Sequence, residues 1–115
     1  MFMPKPLNAL LSSMDQIVFE ISWSPKTEFA KLYSLAYNDV PVSLPADASG
    51  KGSIRIQFPA PRSDTHRFQW SLLFPKATLK NLKAMARIGD GKPVELGEGT
   101  KEKKGRWQDN EEVAL

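Results

Sequence analysis

Apolar and polar residues alternate along much of this chain with a period of two, the spacing of a strand that buries one face. In IVFEISW, residues 17–23, the side chains of Ile17, Phe19, Ile21 and Trp23 fall on one side and those of Val18, Glu20 and Ser22 on the other. Residues 54–58 repeat the pattern, with Ile54, Ile56 and Phe58 opposite Arg55 and Gln57. In HRFQWSLLF, residues 66–74, Phe68, Trp70, Leu72 and Phe74 oppose Arg67, Gln69 and Ser71, and Pro75 is expected to close the strand. Leu82, Ala84, Ala86 and Ile88 share a face, and Val94 and Leu96 resume the pattern after Gly89-Asp90-Gly91, which predicts a hairpin.

Residues 24–44 carry two periods at once. Ser24-Pro25 resembles a helix cap, and Phe29, Leu32, Tyr33 and Ala36 have helical spacing. Tyr33, Leu35 and Tyr37 also alternate, Asn38-Asp39 suits a tight turn, and Val40, Val42 and Leu44 continue at period two. A second hairpin is the preferred reading, with a short helix near 27–37 as the alternative. Residues 106–108, Arg106-Trp107-Gln108, suggest a last strand after a charged, glycine-containing loop. Six or seven short strands predict an all-β fold: a small antiparallel β-sandwich, immunoglobulin-like in its finer form, with a β-barrel or an α+β fold as alternatives.

At 115 residues and 41% hydrophobic content the chain is the size of one domain, assigned to residues 14–115. Residues 1–13 are expected to form a disordered extension, and Met14 is an alternative translation start. Their short apolar patch is a poor secretory signal, so the expected location is the cytoplasm, with export as the alternative. No stretch approaches the ~18 uninterrupted apolar residues of a membrane span, and no membrane partner is expected.

The absence of cysteine excludes disulfides, thiol nucleophiles and thiolate metal sites, and a single histidine leaves few soft ligands. Neither a metal site nor a cofactor is expected. Ser63, Asp64 and His66 have the residue types of a hydrolytic triad, but they lie almost adjacent in a turn and no GxSxG elbow occurs. Tyr37-Asn38-Asp39-Val40-Pro41 resembles the start of the calcium loop of bacterial galactose-binding lectins over five residues. The asparagine pair of that loop is missing from the residues that follow. Gly50-Lys51-Gly52-Ser53 lacks a full phosphate-loop spacing but sets glycine amides beside a lysine, a local pattern suited to an isolated anion.

Charge placement is more informative than the net charge of +3. Eight basic residues lie between Lys51 and Arg87 against one acid, Asp64, whereas both flanking segments are mildly acidic. If the strands at 54–58, 67–73 and 82–88 shared a sheet, their polar sides would form one basic face from Lys51, Arg55, Arg67, Gln69, Lys83 and Arg87. Trp107, beside Arg106 and Gln108, is either an exposed aromatic anchor or a buried residue of the terminal strand. The expected function is that of a noncatalytic binding or adaptor module engaging a protein or an anionic macromolecule through this face or through loops. Sequence-independent binding of nucleic acid or acidic polysaccharide is the alternative, followed by hydrolysis using His66. The pattern leaves the oligomeric state open.

Overall fold

The computed structural model describes residues 14–74, 80–96, 100–102 and 105–115. The expected extension at 1–13, the role of Pro75 and the centre of the glycine-containing loop lie outside the described residues. Those residues form ten strands and no helix: β1 Met14–Ser24, β2 Phe29–Tyr37, β3 Val40–Pro41, β4 Ser49–Lys51, β5 Ser53–Pro61, β6 His66–Leu73, β7 Lys80–Ile88, β8 Val94–Glu95, β9 Thr100–Glu102 and β10 Arg106–Val113. They pair antiparallel in two sheets that pack as a β-sandwich. One sheet has the order β5-β1-β7-β8; the other runs β3-β2-β6-β10-β9, with β4 pairing to the end of β2 opposite β3.

The hairpin reading of residues 24–44 holds. Asn38 and Asp39 both take positive φ, 49° and 68°, the backbone that a two-residue turn between twisted strands requires. Asn38 tightens the turn further: its Nδ2 donates to Thr65 O at 2.9 Å, and its Oδ1 accepts from Arg67 N at 2.8 Å. The helical spacing of Phe29, Leu32, Tyr33 and Ala36 marks no common face, since Leu32 is buried while Phe29 and Tyr33 are exposed, and the alternation is interrupted by a β-bulge. Between Leu32 and Ser34 the register of β2 against β6 shifts by one residue. Ala30 and Leu32 point inward before the bulge, and Leu35 and Tyr37 after it, while Tyr33 is 64% exposed. Strict alternation had placed Tyr33 on the face of Leu35 and Tyr37.

Each sheet contributes its period-two apolar set to a common core. Ile17, Phe19 and Ile21 of β1 are completely buried, covered by Leu32, Phe68 and Leu72 of the opposing sheet among others. Phe19 stacks on Phe68 with ring centroids 5.8 Å apart and meets Trp70 at 5.5 Å, and Trp70 meets Trp107 edge-on at 5.7 Å. These are favourable aromatic geometries beyond simple area burial.

Two glycines let the chain reach this arrangement. Gly52, φ 80°, carries the chain from β4 in one sheet to β5 in the other, and a Cβ there would come within 2.8 Å of the Lys26 carbonyl oxygen. Gly105, φ 73°, closes against Phe74, whose N–H donates to its carbonyl at 2.8 Å; a Cβ on Gly105 would lie 2.3 Å from Phe74 O.

Trp70→Ala is expected to cost about 3 to 5 kcal/mol, because it removes the ring between Phe19 and Trp107 and leaves a cavity the two sheets cannot close. Urea unfolding followed by circular dichroism measures the loss, and a change below 1 kcal/mol, on the order of an ordinary surface substitution, would contradict the packing described.

Candidate functional site

The topology divides the expected basic face. β5 and β7 flank β1 in one sheet, so Arg55, Lys83 and Arg87 share its outer surface, but β6 lies in the other sheet and takes Arg67 and Gln69 with it. The outer surface around β1 is also not uniformly basic. Glu20 stands directly between Arg55 and Met85 in register, and Glu95 follows on β8. Acids and bases interleave there as on ordinary solvated sheet faces.

Arg67 is further committed to the hairpin turn. Its guanidinium forms an ion pair with Asp39, and its backbone hydrogen-bonds Asn38 in both directions. Trp107 is 0% exposed and belongs to the core, so the anchor reading is corrected: the same parity that points Arg106 and Gln108 outward turns the indole inward.

His66 is 3% exposed, and its Nδ1 lies 2.6 Å from the phenol oxygen of Tyr37. Burial, and then the Asp15 carboxylate, raise the Tyr37 phenol above its ordinary pKa, with a hydrogen bond involving Asn38 pulling the other way. A phenol held protonated can donate to an unprotonated Nδ1. Ser63 Oγ accepts from Thr65 N at 3.1 Å, so Ser63, Asp64 and His66 form a turn and a core contact instead of converging on one point.

Two concave regions occupy opposite ends of the β1–β5 pair. At the Met14–Pro61 end a groove of about 710 Å³ runs between the β2–β3 turn with residues 40–43 and the end of β5 with residues 62 and 63. Val40, Pro41, Val42, Phe58, Pro59 and Pro61 give it an apolar wall. Arg62 marks its rim, exposed and ion-paired at 3.5 Å with the half-buried Asp15. At the Ser22–Ser53 end a smaller hollow of about 450 Å³ gathers Lys26, Lys51 and Lys83. The sequence pattern singled out Lys51 and Lys83; Lys26 and Asn81 join them only through long-range pairing, for which no local signal exists.

An inward-facing acidic pair completes the polar inventory. Asp109 and Glu111 have the parity of Trp107 on β10 and oppose Trp70 and Phe68. Asp109 Oδ2 and the indole nitrogens of Trp70 and Trp107 are buried without hydrogen-bond partners. The Glu111 carboxyl is raised from its ordinary pKa, first through desolvation and then through its hydrogen bond to, and the charge of, Asp109. No group of three or more His, Asp or Glu suited to a metal ion occurs among the described residues. No helix among them is long and apolar enough to cross a membrane. Neither a protein-family model, nor a curated protein, nor a solved structure matches this chain.

Two expected outcomes follow from these polar contacts. Tyr37→Phe strips His66 Nδ1 of its buried partner and is expected to cost about 1 to 3 kcal/mol in urea unfolding. An unchanged midpoint would show that the bond contributes nothing. Glu111 holds its proton more tightly folded than unfolded, so its contribution to stability falls as pH rises through the carboxylate range. Glu111→Gln should therefore raise the melting temperature at pH 7, and the gain should shrink as the pH is lowered below the ordinary glutamate value. A gain independent of pH would contradict the raised titration.

Proposed function

We propose that this chain is a noncatalytic binding module, an immunoglobulin-like sandwich that engages a protein partner through the loops at its Met14–Pro61 end. The groove of about 710 Å³ carries the reading: it is large, open, mainly apolar and bordered by a few polar groups, including Asn38, Gln57 and Arg62. Val40, 64% exposed on its wall, is a large aliphatic side chain offered to solvent in a domain that buries most of its others.

The groove adjoins the outer edge of β5, which among the described residues ends its sheet and pairs along one side with β1. Pro59 and Pro61 have no N–H and blunt one end of that edge; along Ser53–Phe58 no second strand of the described residues pairs with β5, an arrangement suited to an added strand. An extended apolar segment of the partner fits both features, with main-chain hydrogen bonds to the edge and side chains in the groove.

Strand pairing supports the immunoglobulin-like description. β1 joins β5 in one sheet, and β2, β6 and β10 adjoin in the other, as strands B and E and strands C, F and G do in that architecture. β7 occupies the place beside β1, a departure in chain order. The noncatalytic reading is supported by His66, whose Nδ1 is taken by a phenol in the core instead of facing a nucleophile or carboxylate in a cleft.

Selection of binders from a displayed library of random peptides tests the proposal. Enriched peptides are expected to be extended and apolar, to shift amide resonances of residues 38–43 and 53–63, and to lose affinity about tenfold or more with Val40→Glu. Val40 is exposed, so the variant should keep the parent's stability within about 0.5 kcal/mol. Peptides that map to another surface, or that bind Val40→Glu equally well, would overturn the assignment.

A further inference from the structure

At the end of the sandwich opposite the groove, we infer a binding site for a single oxyanion group, such as a phosphate or sulfate ester, in the hollow formed by Lys26, Lys51 and Lys83. Three separate segments bring these lysines together: the turn between β1 and β2, β4, and β7. Ser24, Ser53 and Asn81 line the same hollow, and no acidic residue among the described residues does so. Three cations with hydroxyl and amide donors around about 450 Å³ of open space are the complement of a compact anion.

A backbone irregularity independently marks the same place. Ser22 pairs with Lys83 and Ser24 with Lys80, so β7 carries one residue more than β1 over this interval. Within that bulge Asn81 takes φ 54°, a conformation uncommon outside glycine, and its Nδ2 approaches Ser24 Oγ at 3.4 Å. Bulges re-aim side chains, and this one turns an amide toward the hollow.

The glycine amide expected from the sequence is not the donor here. Gly52 N already donates to Glu28 O at 3.1 Å, which leaves the lysines and the hydroxyl and amide side chains to hold the ligand. The cations converge on one concavity instead of tracking along a sheet, and Trp23 at its base is buried, with its indole N–H donating to Glu28 O at 2.7 Å. Among the residues that line the hollow no ring is exposed, and Phe29, 45% exposed opposite Lys51, lies outside that lining, which favours an isolated oxyanion over a single-stranded nucleic acid.

Amide resonances followed during titration with inorganic phosphate at pH 7, against sodium chloride at matched ionic strength, provide the test. Saturable shifts are expected at Ser22, Ser24, Ser53 and Asn81, and the Lys51→Gln, Lys83→Gln double variant should weaken binding about tenfold or more. Both lysines are exposed, so the fold should persist; Lys26→Glu, in an exposed turn, gives a second variant with the same expectation. A sugar phosphate in a parallel titration separates the sources of the group: tighter binding than inorganic phosphate assigns an ester, and equal binding assigns the free ion. Shifts that chloride reproduces, or that survive both variants, would overturn the site. Short single-stranded DNA that binds more tightly than phosphate and spreads its shifts to Arg55, Arg67 and Arg87 would overturn it in favour of a polymer track.

Discussion

The contact of Phe19 with Phe68 and Trp70 is the point on which this sandwich depends. Phe19 is at the middle of β1, which is itself internal to its sheet, and the two rings it meets belong to β6, internal to the other. Every strand added to either sheet extends a surface that this contact already holds face to face. Sheet formation alone would leave two amphipathic ribbons, each with one apolar side in water; stacking the two inner faces removes both from solvent together. The need to cover both faces explains why the chain changes sheets so often. Gly52 serves that requirement, since the crossing from β4 to β5 passes so close to Lys26 that a side chain has no room.

Period-two alternation made the strands and their inner faces legible, because side-chain parity is a local property. Ile17, Phe19, Ile21, Ile54, Ile56, Phe68, Trp70 and Leu72 are all buried where alternation puts them. The turn at Asn38-Asp39 was legible for the same reason: its chemistry lies within two residues. Tyr33 defeats the method because one inserted residue reverses parity downstream, and nothing in the spacing distinguishes such a bulge from the start of a helix. The basic face failed one level higher. Parity correctly turned Arg55, Arg67, Lys83 and Arg87 outward, but which outward surface each joins depends on sheet membership, a long-range property. Lys26 and Lys51, 25 positions apart in sequence, line one hollow for the same reason.

The polar interior of β10 shows what the fold gives up to remain a discrete sandwich. Asp109 and Glu111 occupy inner positions that alternation would ordinarily fill with apolar residues, and Glu111 is only partly buried. Inward-pointing charges near a sheet margin discourage unplanned pairing, because a strand from another molecule would have to desolvate them. The raised titration of Glu111 and the unpartnered Asp109 oxygen are the energetic counterpart of that protection. β5 is treated differently. Its inner residues Ile54, Ile56, Phe58 and Ala60 are uniformly apolar, and its edge is blunted by proline only at the far end. Among the described residues, β5 is thus a sheet margin without inward-pointing charge.

The antiparallel register of β1 with β5 sets how far apart the two concave regions lie. Met14 pairs with Pro61 at the groove, and Ser22 pairs with Ser53 at the lysine hollow. Eight residues of extended strand separate these pairs, on the order of 26 Å at the usual rise. That exceeds the range over which neighbouring substitutions couple strongly, and it exceeds the Debye length at physiological salt, about 8 Å. The charge of the hollow is therefore largely screened from a ligand in the groove. The two ends nevertheless share β5, which pairs along its length with β1, so a change that loosens the Phe19 contact between them would disturb both, whereas a surface substitution at either end would act alone. Independence of the ends under surface mutation, together with joint failure under core mutation, is the behaviour this architecture imposes.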